Sequence, residues 1–170
     1  KPVSRMSNLK INKKELTKGL ISAISATANK SEISNRYNSL NQEMIKDIQL
    51  PLIVESKEKI KSKELNELIE KILGQEIYQI IKIKRAKRAG KGKLRGRKYK
   101  KNSGLLFVIG SDEKIKNNSI EVVQTNKLSV TDLAKGGPGR LTIYTEKAIK
   151  EIKEKFEQKN KLKKEDKKWI

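Results

Sequence analysis

The run RAKRAGKGKLRGRKYKK, Arg85 to Lys101, carries ten positive charges and no negative one. Residues of these types at this density are suited to holding a polyanion. Lys87, Lys91, Lys93, Lys98, Lys100 and Lys101 can neutralise phosphates and release their counterions. The planar guanidinium groups of Arg85, Arg88, Arg95 and Arg97 can bond phosphate oxygens in pairs or stack on bases. Tyr99 supplies one ring, and Gly90 and Gly92 leave the backbone bare enough to approach a phosphate or sugar. Ala86, Ala89, Leu94 and Tyr99 fit neither a helix stripe nor an alternating strand, so the run is excluded from the core. Like charges this close repel, and the segment is expected to be extended and mobile in water until a polyanion neutralises it.

Other chemistry has little to work with. The chain contains no His and no Cys, which removes the commonest general base, the usual zinc ligands and thiol chemistry. Gly90 to Gly96, GKGKLRG, lacks the Ser or Thr that a phosphate-binding loop places after its lysine. Gly136 to Gly139, GGPG, leads into a strand and not into a helix N-terminus, so it reads as a tight connection needing unusual backbone angles. Asp112 and Glu113 follow a strand, where α/β enzymes keep catalytic groups, and Asp132 lies in a short helical turn. A helix cap or a solvated charge is the better reading of each. Ser25, Ser111 and Thr145 have no histidine to activate them. No catalytic residue, cofactor or metal site is assigned.

The elements that must carry the basic run fit one domain of 170 residues. The net charge is +21, and setting aside the ten of the run leaves +11, so the excess is global and suggests a nucleic acid or an anionic membrane surface. The longest apolar runs, such as Leu105 to Ile109, fall far short of the roughly 20 residues that span a bilayer. Absence of Cys fits a reducing, intracellular compartment.

Along the chain, Asn12 three residues before Glu15 resembles a capping box, and Leu16, Leu20 and Ile24 follow at helical spacing. Ser22, Ala23, Ser25 and Ala26 suggest close packing of this helix. SEISNRYNSLNQEMIKDI is polar and irregular, and LPLIVES gives a short strand with Pro51 at its start. Ile60, Leu65, Leu68, Ile69, Ile72 and Leu73 share a helical face that stops at Gly74. IYQIIKIK fits a strand through Ile81 and Ile83 or a helix through Ile77, Ile80, Ile81 and Lys84, with helix preferred. GLLFVIGSD reads as a strand buried on both faces, SIEVVQT as another, SVTDLAKGG as one helical turn and GRLTIYT as a last strand. It runs into a helix with Ile149, Ile152 and Phe156 on one stripe, and residues 159–170 read as a charged tail. Strands alternating with helices point to an α/β sheet covered on both faces.

RAKRAGKGKLRGRKYKKNSGLLFVI resembles a segment of the large ribosomal subunit protein four family, archaeal and eukaryotic type. KKELTKGLISAISATA and LSVTDLAKGGPGRLTIYTEKAI resemble two further stretches of that family, in its order and spacing, so that the likeness runs from about Lys1 to Phe156. The resemblance implies a three-layer α/β/α domain with a four-stranded, mainly parallel sheet over residues 1–158, its basic loop at 85–103. It also implies a non-enzymatic structural component of cytoplasmic ribosomes that binds large-subunit rRNA beside neighbouring ribosomal proteins, with no membrane and no small-molecule substrate. Arg140 joins Arg85–Lys101 as an expected rRNA contact. Lys135 stands where the family has Pro, and SNRYNSLNQ replaces its Arg-Gly-His, leaving Arg36. The family carries an N-terminal portion with a long basic loop reaching the exit tunnel. KPVSR resembles that loop's downstream edge, so the chain is expected to start behind it. A free-standing regulatory RNA- or DNA-binding module is the alternative, and a phosphoryl-transfer enzyme a weaker third.

Overall fold

The computed structural model describes residues 11–37, 39–40, 44–45, 48–55 and 60–166, with side chains as far as Glu157. Helix α1 spans Lys13–Thr27, and the Asn12 side chain caps it by accepting from Lys14 N at 3.1 Å. A second helix, α2 (Lys30–Arg36), lies in the stretch read as irregular. Asn29 caps it and Glu32 occupies its first turn, so a short polar helix forms around one buried residue, Ile33. Strand β1 (Leu52–Val54) follows a cis Leu50–Pro51 bond. Helices α3 (Ser62–Leu73) and α4 (Gln75–Ile81) are divided by Gly74 at φ 81°, a conformation suited to glycine. IYQIIKIK is therefore helical through Ile81.

Strands β2 (Arg85–Lys87) and β3 (Tyr99–Lys101) form a separate antiparallel hairpin. The remaining strands are β4 (Leu106–Ile109), β5 (Glu121–Gln124) and β6 (Thr142–Thr145). One-turn helix α5 (Val130–Leu133) precedes β6, and α6 (Glu146–Asp166) follows it directly, running on into the stretch read as a tail.

The main sheet has the order β1-β6-β4-β5 and every pair in it is parallel. Parallel strands need helical crossovers, which cover both faces and leave the central strands without solvent. Side-chain alternation along β4 sorts the core into two layers. Leu105, Phe107 and Ile109 join Ile143 against Ile33 of α2, Leu65, Ile69 and Leu73 of α3, and Ile77 and Ile81 of α4. Leu106 and Val108 join Tyr144 against Leu133 of α5, Ala148 of α6, and Leu20 and Ile24 of α1. Each large side chain so buried stabilises the fold by about 1.5–3 kcal/mol. The result is the three-layer α/β/α architecture. Two stripes are narrower than expected: Leu68 and Ile72 of α3 stay 39% and 42% exposed, and Ser22 and Ser25 of α1 face outward. The Tyr144 hydroxyl meets Thr27 Oγ1 at 2.9 Å, and burial pushes its pKa up.

Candidate nucleic-acid interface

Instead of an extended loop, the basic run folds as the β2–β3 hairpin. Backbone pairing does not need apolar side chains, and Arg85↔Lys101, Ala86↔Lys100 and Lys87↔Tyr99 pair in register. Beyond them Arg88 N donates to Lys98 O at 2.8 Å. Its tip is a 3₁₀ turn at Lys91–Lys93 flanked by Gly90 and Gly96, both at φ 74°. The bare Gly92 accommodates the Arg88 stem, since a Cβ there would lie 2.7 Å from Arg88 Cδ. Arg88 Nε then donates across the hairpin to Arg97 O at 3.1 Å. Gly92 therefore makes room for a side chain of the hairpin itself.

The neck is fixed to the domain. Asn102 accepts from Lys84 N at 2.6 Å and donates to Lys82 O at 3.1 Å, while Leu105 N donates to Ile81 O at 2.9 Å. A Cβ on Gly104 would lie 2.1 Å from that same carbonyl, so only glycine allows the chain to cross α4's end this closely.

From this neck the hairpin presents Arg85, Lys87, Lys91, Lys93, Arg95, Arg97, Lys98, Lys100 and Lys101 exposed to solvent, with Arg88 half-buried. Among the described residues no carboxylate pairs with any of them. Arg85 lies over Tyr99, its guanidinium carbon 3.7 Å from the ring centroid, and Leu94 at the tip is 87% exposed. Such an uncompensated cationic projection attracts polyanions over distances up to about 8–10 Å at moderate salt.

Arg140 corrects the expectation drawn from sequence. It is 0% exposed, and its guanidinium is engaged inside the fold. Nε donates to Gly104 O at 2.8 Å, one terminal nitrogen to Asp132 O at 2.6 Å and the other to Glu121 Oε2 at 2.7 Å. These bonds join the hairpin neck, α5 and β5, and in this arrangement Arg140 offers nothing to RNA. Glu121 also takes Lys135 at 2.9 Å. Burial alone would raise its pKa, but the hydrogen bonds from Lys135 and Arg140 outweigh burial and hold it below the usual carboxylate value. Arg36 likewise turns inward, donating to the carbonyls of Lys135 and Gly137, and burial lowers its pKa. Its acceptors sit in the glycine connection, where Gly136, Gly137 and Gly139 all have positive φ.

Two of the three carboxylates considered for catalysis, Glu113 and Asp132, are used to hold the fold. Glu113 is fully buried and accepts from Gly110 N and Thr145 Oγ1, each at 2.8 Å. Thr145 Oγ1 also accepts from Ala148 N at 3.2 Å, tying the ends of β4 and β6 to the start of α6. Asp132 accepts from Ser129 N at 3.0 Å as a cap for α5, and Asp112 is exposed. Among the described residues there is no metal-binding cluster, and no helix is long and apolar enough to cross a membrane.

Residues 1–155 match the family model for the ribosomal protein L4/L1 family. The large ribosomal subunit protein uL4 of Sulfurisphaera tokodaii is 39% identical over 156 residues, covering 86% of this chain and 57% of the relative. That of Methanocaldococcus jannaschii is 39% identical over 164 residues, covering 87% and 60%. The uL4 of Haloquadratum walsbyi is 40% identical over 150 residues, covering 84% and 58%. The chain thus spans somewhat under two thirds of the length of these curated relatives.

Proposed function

Because the chain belongs to the ribosomal protein L4/L1 family, we propose that it is a non-enzymatic structural component of the large ribosomal subunit, binding large-subunit rRNA and supporting its assembly. The observation that carries this reading is the hairpin: ten cations on a projection hydrogen-bonded to the domain at its neck, none of them paired with a carboxylate among the described residues. Phosphates are the groups such a surface neutralises. Arg85, Lys87, Lys91, Lys93, Arg95, Arg97, Lys98, Lys100 and Lys101 contact rRNA, with Tyr99 and the terminal nitrogens of Arg88 adding to them. Gly90 and Gly92 serve chiefly by shaping the tip. Residues 1–158 act as one rRNA-binding domain, with 159–170 as a charged extension, and the protein works in cytoplasmic ribosomes beside neighbouring large-subunit proteins. Neither a membrane nor a small-molecule substrate enters this reading.

The test is co-sedimentation with large ribosomal subunits at high magnesium, paired with binding to large-subunit rRNA over a salt series. Incorporation into subunits supports the proposal. Salt-sensitive RNA binding without incorporation would favour a free-standing regulatory module instead.

A further inference from the structure

The two faces of the hairpin differ. Directly opposed residues of an antiparallel pair share a face, so the register puts Arg85, Lys87, Tyr99 and Lys101 on one side and Ala86 and Lys100 on the other. Arg85 and Tyr99 are diagonal neighbours on the first side, which is how the guanidinium comes to lie 3.7 Å from the ring centroid. The ring is still 38% exposed. Beside the neck, this face continues into a cleft of about 500 Å³ whose lining includes Lys101, Lys116, Asn118 and Lys135. Glu121 also lines the cleft, but its carboxylate is taken by Lys135 at 2.9 Å and Arg140 at 2.7 Å, so its charge is already compensated.

We infer that this face and the adjoining cleft form a site for an unpaired RNA nucleotide, its base stacked on the Arg85–Tyr99 pair and its flanking phosphates held by Lys101 and Lys116. A stacked guanidinium and phenol ring offer a flat surface, and flat surfaces recognise the faces of bases, which a duplex hides in its stack. Phosphates alone would need neither the ring nor a cleft. Ala86, on the opposite face, carries no comparable surface. Lys116 and Lys135 lie outside the basic run in sequence: Lys116 comes from the loop before β5, and Lys135, just after α5, is drawn to the cleft by its ion pair with Glu121 of β5.

This inference rests on the rRNA-binding reading, and its test separates the two. The probes are a short single-stranded RNA containing 2-aminopurine and an RNA duplex of the same length, titrated with the full chain. The single strand should bind more tightly, and its 2-aminopurine fluorescence should be quenched on binding. Tyr99→Leu should weaken single-strand binding by about 10-fold or more, the scale of one base stack, while leaving the salt slope unchanged. Tyr99→Phe should retain affinity, and Lys116→Gln should lower the slope by about 0.7. Circular dichroism verifies that each variant folds, and Arg85→Ala provides a second disruption of the stack. Equal binding of strand and duplex, with Tyr99→Leu and Arg85→Ala both silent, would overturn the nucleotide site and leave general phosphate binding standing. Failure of both RNAs to bind would overturn the rRNA reading itself.

Discussion

Arg140 and the hairpin arginines are the same residue type beside glycines in a strongly basic chain, yet they serve opposite ends. Arg140 is surrounded by acceptors: two backbone carbonyls and the Glu121 carboxylate converge on it with no solvent between. Arg95 and Arg97 project from a two-stranded hairpin whose neighbours are also cations. A buried guanidinium is stable only when its donors and charge are met within the fold, and an exposed one holds its charge ready for an external acceptor. Acceptors within reach, and not local charge density, decide which arginines remain available to an external anion.

The largest effect should come from Arg140→Met. It leaves the carbonyls of Gly104 and Asp132 without their donor and should cost about 3–5 kcal/mol of stability. Urea unfolding would register this as a lower midpoint at unchanged slope. The folded variant should keep the wild-type salt slope for RNA. The reverse pattern, normal stability with a lower slope, would break the comparison. Gly104→Ala should come next, at roughly 1–3 kcal/mol, because its Cβ has to displace the Ile81 carbonyl. Amide exchange at Leu105, whose N–H bonds that carbonyl, should accelerate more than at Val108 in the middle of β4.

Acid sharpens the same contrast. Because Glu121 has a depressed pKa when folded, the unfolded state binds more protons in the affected range. Its contribution is therefore complete above the unfolded value of about 4.3 and disappears as pH falls through the lower folded value. Stability should fall over this acid range, and Glu121→Gln should flatten this limb of the stability profile. A residual slope should persist from Glu151. Burial would raise its pKa, but the N–H and hydroxyl of Ser111 outweigh that and lower it. The smallest effect on stability belongs to Arg95→Ala combined with Arg97→Ala, within about 0.5 kcal/mol. That variant should nevertheless reduce the RNA salt slope by about 0.7–0.9 for each phosphate it no longer neutralises.

The sheet was legible because its strands are short apolar runs bounded by glycine, proline and polar residues, and burial on both faces leaves that pattern intact. The helix ending at Gly74 was equally plain. Helix α2 was missed although Asn29 and Glu32 stand three apart, because its single buried residue, Ile33, gives no stripe to read. Pairing of β2 with β3 was missed for a related reason. It rests on backbone bonds and glycine turns, which leave no apolar alternation behind. Arg140 was misassigned because burial there depends on the strand order: β6 inserts beside β4, bringing Arg140 to Glu121 of β5 from 19 residues away. The one available hint was the acid Glu121, beginning a strand whose middle is Val122 and Val123.

That strand order also has a history built into it. β6 lies between β1 and β4, so the sheet is incomplete until the last strand has been synthesised, whereas β2 and β3 are joined by a short turn and are complete much earlier. Contacts close in sequence form faster than distant ones, and synthesis delivers the N-terminal side first. The cationic projection can thus exist while β4 still awaits its partner. A nascent chain would therefore complete its charged, solvent-facing hairpin first and close its hydrophobic sheet last, so the part that carries the positive charge does not wait for the part that carries the core.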